Sequence, residues 1–269
     1  MNLPAALRIP PRARIDLARL STSFTHDIAE GDKADKRLAK LVDRIGKLVH
    51  TLGADKRFAL LVILQGMDTS GKDGAIRRIF HSVDPQLMRV ETFKRPTEEE
   101  LAHDYLWRVH PKTPRRGELV VFNRSHYEDV GIVRVHNLAP KEVWSKRYDH
   151  INAFEQLLTD SGTVVLKFFL HISKAEQRER LKARLDDPSK NWKMDLADLA
   201  ERKRWPAYMD AYSAAISKCS TLHAPWHIIP ADHKWFRNYA IASVVELALA
   251  DLHLRYPKPA FDPGKIKIV

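Results

Sequence analysis

The sequence predicts an α/β fold in which one sheet is flanked by helices. Five short runs rich in apolar, β-branched or aromatic residues are typical of strands, and segments with helical spacing separate them. One run ends in a glycine-rich turn that leads into a helix-like segment, as in phosphate-binding α/β proteins. With 269 residues, 44% of them hydrophobic, the chain can bury a substantial core, and one domain is favoured over two small ones. The predicted strands span 58–64, 88–93, 118–122, 163–170 and 226–229.

The turn after the first strand has the spacing G-x-x-x-x-G-K, formed by Gly66, Gly71 and Lys72. In such loops backbone N–H groups converge on phosphate oxygens, and the lysine adds a charge at the transferred group. The turn could also be only a tight connection between a strand and a helix. The position of the lysine and the arginine that follows at Arg77 favour a phosphate site, to which Gly74 also belongs.

Magnesium ligands are not where a common P-loop has them. Asp73 replaces the usual Ser or Thr after the lysine, and Asn123 replaces the acidic residue that normally ends the third strand. Asp68, inside the loop, is therefore the predicted metal ligand, since magnesium prefers hard oxygen ligands. Glu128 or Asp129 could hold a second ion, and the sequence does not choose between them.

The structure of the first third of the chain is predicted from its proline and glycine residues and from the spacing of its apolar residues. Residues 1–30 contain three prolines and little periodicity, which predicts an arm lying on the main domain. An amphipathic helix is predicted over 32–52, stopped by Gly53. After the second strand, Lys94 and Arg95 lie where ligands collect in open α/β sheets, beyond the carboxyl ends of strands.

A basic segment at about 174–205 predicts a lid. It contains two helices joined by the polar stretch DDPSKNW and has few apolar residues. Arg180 and Arg184 share one helical face, where like charges repel unless an anion neutralises them. Closure over bound phosphates would supply that anion. A solvated helix pair without a role is the alternative.

The remaining helices are predicted from spacing and end signals. A capping box precedes the first of them, and a tail follows the last. These segments complete one domain over 31–257. The predicted helices span 98–110, 143–158, 208–216 and 234–254, and the tail spans 258–269.

Charge and cysteine content limit the classes of function. The net charge of +11 and a pI near 9.7 suit an anionic partner, either a nucleic acid, a nucleotide or another polyanion. A non-catalytic nucleic-acid-binding protein would leave the phosphate loop unexplained and lacks spaced exposed aromatic residues. Cys219 is the single cysteine, so a reducing, cytoplasmic setting is expected, and no apolar run is long enough for a membrane span.

Several motifs, in order along residues 30–255, resemble those of the polyphosphate kinase 2 family. The resemblance implies a thymidylate-kinase-like P-loop kinase fold, a three-layer sandwich with a five-stranded parallel sheet and a mobile helical lid. It also implies homo-oligomers, dimers or tetramers. The motifs are GMDTSGKDG at 66–74, FKRPTEEE at 93–100, FNRSHYEDV at 122–130, RLKARLDDPSKNWK at 180–193 and APWHIIPADHKWFRN at 224–238.

The same resemblance implies an activity and its residues. The activity is reversible, magnesium-dependent phosphoryl transfer between inorganic polyphosphate and AMP or ADP, forming ADP or ATP. The variant with Asn123, Tyr127 and Glu128 resembles the short, single-domain subgroup that acts on nucleoside mono- and diphosphates. An ATP-dependent kinase for a nucleotide or another small molecule is the alternative, although it does not need the excess basic surface.

The candidate residues form two groups. The expected catalytic residues are Asp68, Lys72, Asn123, Arg124, Arg134 and Arg178, with Asp68 as the metal ligand. The expected phosphate- and nucleotide-binding residues are Gly66, Gly71, Asp73, Gly74, Arg77, Lys94, Arg95, Glu128 and Arg184.

Overall fold

The fold, taken from a computed structural model, contains one five-stranded parallel sheet. The structure describes residues 2–266 and 268, so Lys267 and Val269 of the predicted tail lie outside the described residues. The strands are β1 (Ala59–Gln65), β2 (Met88–Thr92), β3 (Leu119–Asn123), β4 (Thr163–His171) and β5 (Trp226–Pro230). Each boundary agrees with the predicted strand to within one residue, which confirms the α/β fold class.

The α-helices connect and flank the strands. They are α1 (Leu3–Leu7), α2 (Asp32–Asp55), α3 (Lys72–Ile79), α4 (Glu98–Ala102), α5 (Ile132–Val135), α6 (Lys141–Trp144), α7 (Arg147–Asp160), α8 (Lys174–Leu185), α9 (Leu196–Lys203), α10 (Trp205–Cys219) and α11 (Lys234–Ala250). Helices α2, α3 and α11 pack together, and α5, α7 and α10 form a second group. All seven residues of β1 are buried, so both faces of the sheet are covered at its centre.

The strand order β2-β3-β1-β4-β5 places the candidate site. The chain runs outward from β1 to β2, returns through β3, and then crosses to β4 on the other side of β1. The connections therefore diverge at the carboxyl end of β1, which is where open parallel sheets bind their ligands. The glycine-rich loop follows β1 at this edge, and Asn123 ends β3 beside Leu64 of β1.

Three helix predictions were wrong in extent. Helix α2 continues through Gly53 to Asp55 and ends at Lys56, which has a left-handed φ of 56°. A Cβ at position 53 would lie 2.7 Å from the Leu87 side chain, so this glycine serves close packing and not helix termination. The predicted helix 143–158 is divided between α6 and α7. Helix α11 ends at Ala250, earlier than expected.

The predicted helix 98–110 was also wrong beyond its first turns. Its start is correct, because Thr97 and Glu100 form the predicted capping box. The helix ends at Ala102, and the Asp104 carboxylate accepts hydrogen bonds from the backbone N–H groups of Leu106 and Trp107. Such local side-chain contacts replace helical hydrogen bonds.

The N-terminal segment packs on the domain. Leu3 and Leu7 of α1 are buried, and α1 contacts α11. The Thr22 hydroxyl donates to the Asp232 carboxylate at 2.6 Å, beyond the end of β5. The segment therefore contacts the sheet edge at which the candidate site lies.

A buried ion pair contacts the segment that follows β3. The Lys167 ammonium, fully buried on β4, donates to the Glu155 carboxylate at 2.5 Å, the Tyr127 hydroxyl at 2.8 Å and the Cys219 carbonyl at 2.6 Å. His126 Nε2 lies 3.3 Å from the other oxygen of Glu155. His126 and Tyr127 belong to the motif FNRSHYEDV, which also contains Asn123 and Glu128. The ion pair therefore supports the backbone that carries these two residues.

We expect Lys167→Met to lower the free energy of unfolding by about 3–5 kcal/mol, because it leaves the buried Glu155 carboxylate without its ammonium partner. The double variant Lys167→Met/Glu155→Leu should recover most of that loss. Urea denaturation followed by circular dichroism measures both, with Lys40→Met, an exposed lysine of α2, as the control. A Lys167→Met protein as stable as the wild type would contradict the role given to this pair.

Candidate active site

The lysine that follows the glycine-rich loop donates hydrogen bonds to carbonyl oxygens of that loop. Gly66 has φ 148°, and a Cβ there would lie 2.7 Å from the Leu170 carbonyl oxygen. Gly71 has φ 98° and is followed by α3, whose first residue is Lys72. The Lys72 Nζ donates to the carbonyl oxygens of Gly66 at 3.0 Å and Met67 at 3.3 Å. Both glycines are therefore required, one by a close backbone approach and both by a positive φ.

The next three carbonyls of the loop also accept side-chain hydrogen bonds. Gln177 of α8 donates to the Asp68 carbonyl at 3.0 Å. Arg180 Nη1 donates to the carbonyls of Thr69 at 3.0 Å and Ser70 at 2.9 Å. Since the carbonyls of residues 66–70 accept hydrogen bonds from protein donors, the loop keeps a fixed conformation in which N–H groups remain available for an anion.

Asp68 and Arg124 form an ion pair in the site. Arg124 Nη2 donates to Asp68 Oδ1 at 2.6 Å, and both side chains are partly exposed, 39% and 24%. Arg124 has a left-handed φ of 64°, and so does Thr69 with φ 65°. Non-glycine residues in this region are strained, and such strain concentrates at functional sites.

Asp73 and Asn123, the two departures from the common P-loop pattern, contact each other. The Asn123 side-chain amide donates to Asp73 Oδ1 at 2.6 Å. An aspartate at position 123 would face Asp73 with a like charge, whereas an amide can donate. The two departures are thus coupled: Asp73 follows the lysine as a carboxylate, and Asn123 at the end of β3 is its neutral donor.

Two adjoining cavities open at this loop. The larger, about 680 Å³, is strongly basic. Its acidic residues are Asp68, Asp73, Asp195 and Asp198, and its basic residues are Lys72, Arg77, Lys94, Arg95, Arg124, Arg180, Arg184, Lys190, Lys234 and Arg237. A polyanion would be neutralised here at many points.

The smaller cavity, about 200 Å³, is mainly acidic. It is lined by Glu128, Glu201 and the buried rings of Tyr208 and Tyr212, together with residues shared with the larger cavity. The shared residues are Asp68, Arg124, Asp195 and Asp198. The ion pair between Asp68 and Arg124 therefore lies where the two cavities meet.

Helix α9 contacts the body of the protein at the smaller cavity. Glu201 Oε2 lies 2.8 Å from His136 Nε2 and accepts a hydrogen bond from the Tyr208 hydroxyl at 2.6 Å. Arg184 of α8 pairs with Asp198 of α9 at 3.5 Å. Both helices of the basic segment thus form part of the walls.

Burial and neighbouring charges shift the protonation of these groups. Burial lowers the pKa of Lys72, and the Arg124 cation adds to this effect. Burial raises the pKa of Glu128, although Arg124 and Lys72 oppose the shift. Burial, followed by the nearby Asp68 carboxylate, raises the pKa of Asp198 to about 6. The site therefore holds carboxyl groups that take up protons more readily than exposed ones do.

The structure brings most of the predicted residues together. Arg134 and Arg178 line neither cavity: Arg134 lies over the Trp144 ring, with 5.0 Å from its guanidinium carbon to the ring centroid, and Arg178 is exposed on α8. Their catalytic roles stay predictions. The predicted residues that line a cavity are Gly66, Asp68, Gly71, Lys72, Asp73, Gly74, Arg77, Lys94, Arg95, Asn123, Arg124, Glu128 and Arg184.

Sequence reasoning missed Arg237, and it named Arg180 only on the basic face of the predicted lid, not among the site residues. Arg180 donates to four backbone carbonyls, those of Thr69, Ser70, Ala231 and Asp232. The signal for Arg180 was present in the basic face of α8, but one turn of the helix decides which arginine contacts the loop. Arg237 lies within the motif at 224–238 and carried no separate signal.

The residues present fit a metal ion that takes most of its ligands from phosphate. Within residues 2–266 and 268, no group of three or more His, Cys, Asp or Glu side chains is arranged to hold a metal ion. Magnesium commonly uses one or two carboxylates together with water and phosphate oxygens. Asp68 provides a partly exposed carboxylate at the junction of the cavities, which suits that mode of binding.

Comparison with known proteins gives consistent results. A protein of Meiothermus ruber named AMP/ADP-polyphosphate phosphotransferase is 50% identical over 262 residues, covering 97% of this chain and 98% of its own length. An ADP-polyphosphate phosphotransferase of Rhodopseudomonas palustris is 40% identical over 263 residues, covering 93% and 91%. The crystal structure of polyphosphate kinase 2 from Arthrobacter aurescens matches with a TM-score of 0.92 and 44% identity, covering 97% of this chain and 94% of that one.

The family profile agrees with these pairwise matches. The sequence profile of polyphosphate kinase 2 matches residues 29–256, nearly the whole sheet-and-helix domain. The chain therefore belongs to the polyphosphate kinase 2 family.

Proposed function

We propose that this protein transfers phosphoryl groups reversibly between inorganic polyphosphate and the nucleotides AMP and ADP, forming ADP and ATP. The observation that carries the proposal is the pair of cavities with opposite charge that meet at Asp68 and Arg124. The Meiothermus ruber relative, named for both acceptors, supports AMP as well as ADP as substrates.

The charges of the cavities favour one assignment of the two substrates. Polyphosphate carries no hydrogen-bond donors when ionised, so it suits the basic cavity. A nucleoside offers hydroxyl and amino donors, which carboxylates such as Glu128 and Glu201 can accept. The donor chain therefore belongs in the larger cavity and the acceptor nucleotide in the smaller one, with their phosphates meeting at the shared residues.

Phosphoryl transfer requires that the two phosphates are positioned and that positive charge surrounds the transferred group. Phosphoryl transfer is accelerated by holding the two phosphates in line and by stabilising charge on the transferred group. Lys72 and Arg124 both interact with Asp68 and supply that charge. The side chains and N–H groups of the loop orient the donor, and no covalent intermediate with the protein is needed.

Magnesium is the proposed cofactor, with Asp68 as its protein ligand. When bound, the ion would neutralise phosphate charge at the transfer point. Arg124 Nη2 orients the Asp68 carboxylate by donating to Oδ1, so Oδ2 is left for a ligand. For a second ion, Asp129 is less suited than Glu128, since Asp129 is paired with Arg147 at 3.0 Å and lines neither cavity, whereas Glu128 lines the smaller one.

Other properties stay predictions. These are the homo-oligomer, dimer or tetramer, the cytoplasmic location, the lack of nucleic-acid binding and the closure of the lid at about 174–205. In the described part of the chain no helix is both long and apolar enough to cross a membrane.

The wild-type protein should convert AMP to ADP with polyphosphate as the sole donor. Lys72→Ala should reduce this rate by at least about 100-fold, because it removes the ammonium group that stabilises charge on the transferred phosphoryl group. Chromatography of the nucleotides measures the product, and Lys36→Ala, an exposed lysine of α2, is the control. No ADP with polyphosphate, together with ATP-dependent transfer to another acceptor, would favour an ordinary nucleotide kinase.

Asp68→Asn should raise the magnesium concentration for half-maximal rate by about 10-fold or more, because an amide is a weaker ligand than a carboxylate. Excess magnesium should restore part of the rate, whereas EDTA should abolish the rate of both proteins. Asp35→Asn, at an exposed site on α2, serves as the control. An unchanged magnesium dependence with a lower maximal rate would remove Asp68 from the metal site.

A further inference from the structure

Arg237 is a buried cation whose charge is not neutralised by the protein. It lies near the start of α11 and is only 3% exposed, yet it lines the basic cavity. Its Nη1 donates to the Ser70 carbonyl at 3.4 Å, and its Nε and Nη2 donate to Asn238 Oδ1 at 3.2 and 2.8 Å. All of these acceptors are neutral.

Three other arginines that line the basic cavity each have a carboxylate partner. Arg124 pairs with Asp68, Arg180 with Glu176 and Arg184 with Asp198. For Arg237, no carboxylate of the described chain lies within ion-pairing distance. Burial, followed by the neighbouring Arg180 cation, lowers the pKa of Arg237 to about 10. A buried charge without a counter-ion is unfavourable, so this arginine destabilises the ligand-free protein.

The glycine-rich loop packs closely against the Arg237 guanidinium. A Cβ at Gly71 would lie 1.9 Å from Nη1 and 2.9 Å from the guanidinium carbon, so no side chain can replace this glycine without moving Arg237. A Cβ at Gly74 would lie 3.5 Å from Nη2. The charge therefore lies against the first turn of α3, which has no side-chain cap and whose free N–H groups favour an anion.

We propose that Arg237 is a polyphosphate-binding residue that contacts an inner phosphate of the donor chain beside Gly71 and Gly74. This inference rests on the proposed function. Arg237 lines the basic cavity and not the smaller one, so it contacts the donor and not the acceptor nucleotide. Bound phosphate supplies the missing counter-ion, and relief of the unpaired buried charge adds to the affinity for the donor.

Arg237→Met separates this role from a structural one. We expect the KM for polyphosphate and its dissociation constant by calorimetry to rise by about 10-fold or more, the loss of one charge-assisted contact. The KM for AMP should change by less than about twofold. The melting temperature of the ligand-free variant should equal or exceed that of the wild type, since the unpaired charge is removed.

A control and a second variant complete the test. Arg37→Met removes one exposed charge of α2 outside both cavities and should change none of these quantities. Arg237→Lys keeps a charge and should bind polyphosphate more tightly than Arg237→Met does. A lower melting temperature for Arg237→Met, with equal losses for AMP and polyphosphate, would overturn the inference and make Arg237 a structural support of the loop.

The outcomes also separate this inference from the proposed function. If the wild type neither binds polyphosphate nor transfers from it, the proposed function fails. If the wild type does both and Arg237→Met retains wild-type affinity for polyphosphate, only the inference about Arg237 fails.

Discussion

The site depends on how the carbonyl groups of the glycine-rich loop are satisfied. A loop that presents its N–H groups to an anion must direct its carbonyls elsewhere, and buried carbonyls need donors. Here the donors are side chains of Lys72, Gln177, Arg180 and Arg237. Helices α8 and α11 are therefore joined to the loop directly, so that the phosphate site and the helices around it form one unit.

Two carboxylates of that unit each have a side-chain donor. Asp73 accepts from the Asn123 amide, and Asp68 accepts from Arg124, so both carboxylates are held in a defined orientation. This arrangement leaves one partly exposed carboxylate for a metal ion and an excess of positive charge on the side proposed for the donor. The opposite character of the two cavities follows from these pairings together with the basic residues of α8 and α11.

The basic segment at about 174–205 contains two parts with different attachments. The first half of α8 is fixed to the loop by Gln177 and Arg180, whereas α9 contacts the body through Glu201 with His136 and Tyr208. Any proposed closure is therefore limited on the side of α8, because movement there would break several hydrogen bonds to the loop. Among the described residues, the hydrogen bonds of α9 to the body both use Glu201, which lines the acidic cavity, whereas Arg202 joins α9 to α8.

The sequence by itself determined the strands and the position of the glycine-rich loop. Both depend on short-range patterns, the period of apolar residues and the spacing between Gly66, Gly71 and Lys72. It also placed Lys94, Arg95 and Asn123 at the correct edge, since parallel strands bring their carboxyl ends together. Helix ends were predicted less well, because Asp104 and the packing of Gly53 against Leu87 act through particular contacts.

Only the tertiary structure decided which distant residues complete the site. Arg180 and Arg237 lie 110 and 167 residues from Ser70 in sequence, and both donate to its carbonyl. Periodicity assigns such residues to a helix face but does not say what that face contacts. The pairing of Asn123 with Asp73 and the division into a basic and an acidic cavity likewise arise when separate segments meet at one edge of the sheet.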